Sequence, residues 1–365
     1  SMTKSIKITL SLLCLISIIM SQEFFEKPEV DEIKELMKRV AKYQIENPTP
    51  HRSQNRDYPN GWVPASFYIG VMSAFEATGD KYYFDRASEW AQSNKYRMGP
   101  RLRHADDHAC GSVYLSLHPN SKNDKRLKAV KDVYDQLIAD PRLGREDWWW
   151  CDALFMSPPT LAQLGKVTGD KKYHEFLHKM YWDTAEYLFD KNRGLFYRDQ
   201  RYFYRRSKHG EKVFWSRGNG WVIAGLPRII INLPGKDKQR ESYIELFKTL
   251  SLSLKDVQGA DGYWRSSLLD PEEYSNPESS GSGFITYALA WGINEGYLDK
   301  EIYTPVVIKG WSGLSRSVHG YGKIGWVQDI GMDPGDVSFD DTHAYGAGAF
   351  LLAGSEMIRL IKEGE

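Results

Sequence analysis

"PPTLAQLGKVTGDKKYHEFLHKMYWDTAEYLFD" (residues 158–190) spells out a helix, a turn at Thr168-Gly169-Asp170 and a second helix. Glycine ends a helix readily because it adopts the left-handed conformation at little cost, and aspartate caps the start of the next. The same plan stands upstream in "WVPASFYIGVMSAFEATGDKYYFDRASEWAQSNK" (62–95), with its break at Thr78-Gly79-Asp80. Both turns continue with Lys and then Tyr within a residue or two. A third version is "GFITYALAWGINEGYLDKEIYTPVVIKGWSGL" (283–314), broken between Gly296 and Lys300. Near the start, "EVDEIKELMKRVAKYQIEN" (29–47) places Val30, Ile33, Leu36, Met37 and Val40 at helical spacing.

The chain therefore reads as an all-α series of antiparallel helical hairpins spread over its length. The hairpins vary too much for a short-period solenoid, and no Pro-, Ser- or Gly-rich run marks a linker. Two aromatic, glycine-rich segments, "GLFYRDQRYFYRRSKHGEKVFWSRGNGW" (194–221) and "GADGYWRSSLLDPEEYSNPESSGSGF" (259–284), read as loops or short strands. A closed ring of hairpins with long loops over one mouth fits this order, as a single domain over residues 22–365.

Composition narrows the function. The chain has 365 residues, 48 basic and 48 acidic side chains, and no basic run suited to nucleic acid. Its 12 Trp and 22 Tyr suit stacking on sugar rings, and equally suit a large helical core. The first residues, "SMTKSIKITLSLLCLISIIMSQEFFEKPEV" (1–30), carry Lys4 and Lys7, an apolar run from Ile8 to Met20, then Ser21. That order is a secretory leader over residues 1–21, with Ser1 a cloning remnant. The apolar run is too short for a stable membrane span, and Cys14 has no lipobox around it. The expected product is exported by a bacterium, to the periplasm. Cys110 and Cys151 then remain, and they read as two small buried hydrophobes rather than a disulfide.

Four stretches could carry chemistry. In "DWWWCDALFMSPPTLAQL" (147–164), Asp152 follows three tryptophans and Cys151. If Trp148–Met156 is helical, Trp148, Asp152, Phe155 and Met156 share a face. An apolar surround raises a carboxyl pKa and suits a general acid; an aspartate bonded to backbone amides would be shifted the other way. In "RLRHADDHACGSVYLSLH" (101–118), Asp106 heads an apolar stripe through Cys110, Val113 and Leu117, so Asp106 should point inward and Asp107 outward or sideways. His104, Asp106, Asp107 and His108 are metal-ligand types, but no third ligand group is obvious near them, so no metal or other cofactor is expected. "VFWSRGNGWVIAGL" (213–226) offers Trp215 and Trp221 for stacking, Arg217 for a carboxylate and Asn219 beside them. "DDTHAYGAGAFLLAGSEM" (340–357) places Asp340, Asp341 and His343 before a small-residue helix, where capping explains them.

These motifs, in this order over about residues 31–361, resemble glycoside hydrolase family 105, the unsaturated rhamnogalacturonyl hydrolases. The resemblance implies an (α/α)6 barrel with loops forming the active-site mouth. It also implies hydration of the C4=C5 vinyl ether that polysaccharide lyases leave on a terminal uronic acid, rather than attack at the anomeric carbon. Asp152 matches the family's acid/base position and Asp106 its second aspartate. Trp150, Met156 and His104 join Arg217, Trp215, Trp221 and Asn219 as expected contacts to an unsaturated oligosaccharide. Where members of the family carry His after "GLFY", this chain has Arg198-Asp199, which makes Arg198 a second cationic contact. The favoured substrate is a rhamnogalacturonan fragment with a galacturonyl-type terminus, as in pectin degradation. The alternatives are an unsaturated glucuronyl hydrolase on other fragments, a saturated-glycoside hydrolase or lyase on the same barrel, and a non-catalytic carbohydrate-binding protein.

Overall fold

A computed structural model describes residues 25–48, 58–118 and 124–364. The leader-like segment lies outside the described residues. Helices alternate between an outer and an inner layer along the chain. The outer helices are α1 (Val30–Glu46), α3 (Lys81–Ser93), α5 (Lys125–Ala139), α9 (Lys171–Leu188), α11 (Arg240–Asp256) and α13 (Lys300–Arg316). The inner helices are α2 (Trp62–Thr78), α4 (Ala109–Ser116), α8 (Pro158–Thr168), α10 (Ser216–Ile230), α12 (Ser279–Asn294) and α14 (Ala344–Glu363). Two single-turn helices, α6 (Gly144–Asp147) and α7 (Ala153–Met156), lie in the link before α8.

Sequence explains the layering. Every residue of α10 is buried, and α12 is buried except at Asn294. A helix apolar or small on all sides must be covered all round. The outer helices bury one stripe each; α1 buries Ile33, Met37, Val40 and Ala41. Around the ring α2 packs on α4, α4 on α8, α8 on α10, α10 on α12, α12 on α14, and α14 returns to α2. Six inner and six outer helices thus close an (α/α)6 barrel.

The hairpin turns follow the expected chemistry. Gly79 and Gly169 end α2 and α8 with φ of 70° and 68°. Asp80 and Asp170 then accept hydrogen bonds from the amides of Tyr82 and Lys172 at 2.9 and 3.0 Å. Asp299 caps α13 in the same way through Glu301 and Ile302. Inner-to-outer links such as 79–80 and 169–170 are tight. Outer-to-inner links are long: 94–108, 140–157, 189–215, 257–278 and 317–343. Because successive helices run antiparallel, the long links gather at one end of the barrel. They contain a 3-10 turn (Ala105–His108) and the two-stranded hairpin β1 (Phe189–Asp190) and β2 (Leu195–Phe196). Residues 148–152 are not helical, which corrects the continuous helix expected from Trp148 to Met156.

Ring closure depends on α2 and α14 approaching backbone to backbone. A Cβ at Gly70 would lie 2.5 Å from the Gly348 carbonyl oxygen, and one at Gly348 would lie 2.4 Å from that of Ser66. Gly348→Ala should cost about 2–3 kcal/mol and lower Tm by about 5 °C. Gly235→Ala, with nothing within 4 Å of the new methyl, should leave the melting curve nearly unchanged. Equal melting temperatures for the two variants in a calorimetric scan would contradict the tight seam.

Candidate active site

The long links enclose a cavity of about 580 Å³. Its wall takes His104 and Asp106 from link 94–108, Trp150, Asp152 and Met156 from link 140–157, and Arg198 from link 189–215. Trp215, Arg217 and Trp221 come from the start of α10. Nine of the ten residues expected from the sequence therefore meet in one place. Asn219 does not. It is fully buried; its amide oxygen accepts from the Phe196 N–H at 2.8 Å and its nitrogen donates to the Phe196 and Trp215 carbonyls. Its work is to hold β2 against α10, which corrects the expectation of a substrate contact.

Asp152 occupies the cap position of α7 and is 8% exposed. Its neighbourhood is not only apolar. The Arg198 Nε lies 3.5 Å from Asp152 Oδ1, and the Cys151 thiol donates to the same oxygen at 3.4 Å. The backbone ties these links together, since Cys151 N–H donates to the Arg198 carbonyl at 2.7 Å. Cys110 and Cys151 are both free and buried.

Asp106 and Asp107 divide differently from the stripe argument. Residues 105–108 form a 3-10 turn, so α-helical phase does not apply to them. Asp107 is the more buried, at 1% exposed, and is held by the Arg101 backbone N–H at 2.7 Å and its guanidinium at 2.8 and 3.1 Å. The expectation that Asp107 points outward or sideways is corrected. Asp106 faces the cavity with an 18% exposed side chain. Burial, and next the charge of Asp152, push the Asp106 carboxyl up to about 7. The pair has the form of two carboxyls that resist ionising together.

His108 buttresses this arrangement from behind. Its ring meets the Ser157 hydroxyl at 2.8 Å and the Leu102 carbonyl at 2.7 Å, joining the two aspartate-bearing links. Among the described residues no group of three or more His, Cys, Asp or Glu is placed to hold a metal ion.

Arg217 is 1% exposed and its guanidinium is already committed. Nη1 donates to the Gln328 carbonyl at 2.7 Å and Nη2 to that of Asp329 at 2.8 Å. It lies between the Trp215 and Tyr345 rings, 4.4 and 4.7 Å from their centroids. This pins link 317–343 over the cavity, so Arg198 rather than Arg217 is the cation beside Asp152. Sequence reasoning missed Trp62, Arg101, Trp149, Arg201 and the lip Ile330-Gly331-Met332, all of which also line the cavity. Trp149 lay within the quoted tryptophan run, and Arg201 three residues past Arg198, but nothing local marked either as facing the mouth.

The family model of Glycosyl Hydrolase Family 88 matches residues 36–361. The chain belongs to that family. It is a glycoside hydrolase. It is 41% identical over 332 residues to the unsaturated 3S-rhamnoglycuronyl hydrolase of Alteromonas sp. (strain LOR), covering 85% of this chain and 80% of that protein. It is 40% identical over 324 residues to the protein of the same name from Formosa agariphila, covering 83% and 85%. A solved structure described as a polysaccharide lyase is 33% identical, with a TM-score of 0.83 over 91% of this chain and 98% of that one. The structure of a Family 105 glycoside hydrolase from C. acetobutylicum, at 24% identity, shares the fold with a TM-score of 0.71 over 89% and 98%.

The raised Asp106 has a consequence for stability. Unfolded, this carboxyl ionises near 3.8; folded, it keeps its proton to about 7. Between those values the folded state holds the extra proton, so stability falls as pH rises. Asp106→Asn should relieve this by on the order of 3 kcal/mol above pH 7 and by little near pH 4. The Tm gain of the variant over wild type should be larger at pH 8 than at pH 5. The same difference at both pH values would contradict the assignment.

Proposed function

We propose that this Family 88 hydrolase removes a terminal 4,5-unsaturated uronic acid from lyase-generated oligosaccharides by hydrating the C4=C5 double bond. The observation that carries the reading is the pairing of Asp106 and Asp152 on one cavity wall with Arg198 beside them. The vinyl-ether carbon C4 is a weak base, so a proton must be delivered from a fixed position. Asp152 gives its proton to C4. The cation that develops across C5 and the ring oxygen is captured by water at C5, whose surplus proton returns to the Asp152 carboxylate. The resulting hemiketal opens to a ketone at C5; C1 becomes a hemiacetal, which collapses to an aldehyde and releases the leaving sugar with its oxygen. Asp106 helps the pair keep one proton near neutral pH, the proton that Asp152 delivers, and contacts the sugar hydroxyls. Arg198 faces the uronate carboxylate, and Trp150, Trp221 and Met156 form apolar walls.

Galacturonate and glucuronate differ only in configuration at C4, and that centre is flat in the unsaturated residue. The terminal sugar is therefore the same from either source, and the distinction moves to the linkage and the leaving sugar. The names of the two relatives near 40% identity favour a rhamnose leaving group from a rhamnoglycuronan. The leader reading adds export, to the compartment where polysaccharide lyases release such fragments. A lyase reading is supported by the description of one structural relative, and it predicts the opposite optical change.

The conjugated enol uronate absorbs in the ultraviolet, and its hydration product does not. Absorbance should fall when wild-type protein meets an unsaturated uronyl-rhamnose disaccharide. Asp152→Asn should reduce kcat by at least about a thousandfold without lowering Tm. A rise on intact polymer would mean a lyase, and normal turnover by Asp152→Asn would remove this residue from the mechanism.

A further inference from the structure

Arg228 projects from α10 toward the barrel axis. It is 8% exposed, and no carboxylate among the described residues offsets its charge. Burial pushes the guanidinium down to about 10, so it stays charged at neutral pH, in a place where a charge is costly. Two contacts occupy its fork. Nη2 donates to the Ser112 hydroxyl and Nη1 to the Phe155 carbonyl at 3.5 Å. The guanidinium also lies over the Phe155 ring, 4.8 Å from its centroid. Behind it a cavity of about 290 Å³ opens toward the tight-turn end of the barrel. Ile69, Ser112, Gln163, Tyr287 and Leu352, one from each of the other inner helices, line that space with Arg228. It is polar and roomy enough to hydrate the rear of the guanidinium.

The two acceptors belong to the two aspartate-bearing segments. Phe155 lies in the single turn α7 that Asp152 caps, and its N–H donates to the Asp152 carbonyl at 3.0 Å. Its ring packs on Trp221 of the active-site wall, with centroids 4.7 Å apart. Ser112 lies in α4, which continues directly from the 3-10 turn that carries Asp106. His108 joins the same two links through Ser157.

We propose that Arg228 is a positioning residue that ties α7 to α4 from beneath the active-site cavity and so sets the spacing of Asp152 and Asp106. A planar fork reaches both acceptors at once, whereas an ammonium reaches one. The proposal rests on the function given above wherever it is read through turnover. Asp106 is held up by burial first and by the Asp152 charge second; Asp107 adds to the rise, and Arg101 and Arg198 oppose it. His104 and Cys151 also face the pair. Tyr287, Glu76 and Glu356 share the rear cavity with Arg228. A looser pair is wetter and further apart, and both changes lower the Asp106 value.

The test is a pH profile of variants acting on an unsaturated uronyl-rhamnose disaccharide. Arg228→Lys should lower kcat by about ten- to a hundredfold with KM little changed, as for a displaced acid. The alkaline limb of its kcat/KM profile should move to lower pH by about half a unit or more. Ser112→Ala removes one arm of the bridge and should move the limb the same way by less. Leu314→Ala opens a cavity in the buried face of outer helix α13; it should lower Tm and leave the limb in place. The pH dependence of Tm reads the pair without turnover: the fall in stability from pH 5 to pH 8 should be smaller in Arg228→Lys than in wild type. An unmoved limb in Arg228→Lys, or an equal shift in Leu314→Ala, would overturn the bridge. Should Arg228→Lys fail to fold, an unmoved limb in Ser112→Ala would do so. Absence of turnover by wild type would overturn the proposed function instead, and the Tm comparison would still decide the bridge.

Discussion

The site depends on the closure of the inner ring. The six inner helices, of which α10 and α12 are buried almost throughout, close into a ring only if α14 packs directly on α2, where Gly70 and Gly348 bring the two backbones together. Closure fixes the start of each inner helix at the same end as the long links. Trp62 at the start of α2 and Trp215 at the start of α10 then face one cavity from different parts of the chain. The seam carries no chemistry, yet it sets the distance across which the two aspartates and Arg198 must work.

Within that mouth, short connections give the precision that long loops lack alone. His108 binds link 94–108 to Ser157, Cys151 binds link 140–157 to the Arg198 backbone, and Arg217 anchors link 317–343 through Gln328 and Asp329. Most of these groups are buried and hydrogen-bonded, which keeps the cavity wall in one arrangement. The wall is electrostatically uneven: Asp106 resists ionisation beside Asp152, while Asp199 is held below the usual carboxylate range despite its burial by Arg201 and Arg198. Carboxyls with opposite tendencies in one pocket separate the proton-holding role from the cation-positioning role.

Much of this was legible in the sequence, for definite reasons. The Thr-Gly-Asp turns announce themselves because both the left-handed glycine and the capping aspartate are local requirements, and both are met at Gly79-Asp80 and Gly169-Asp170. Asp106 was selected over Asp107 on a helical phase that the 3-10 turn does not have; the choice agrees with the cavity, but the reason fails. Asn219 and Arg217 sit in a motif with the residue types of a sugar site, yet one serves β2 and the other anchors a lip. Trp149, Arg201 and Ile330–Met332 were missed because their facing depends on which distant links meet at the mouth. No spacing rule carries that information.

The most direct measurement is the position of deuterium in the product made in deuterated water, read by NMR at early times on an unsaturated uronyl-rhamnose disaccharide. Vinyl-ether hydration predicts one deuteron bonded to C4, delivered to a single face, with the double bond gone. A product that keeps C4=C5 and carries no deuterium on C4 would mean ordinary cleavage at the anomeric carbon, and would contradict the roles given to Asp152 and Asp106.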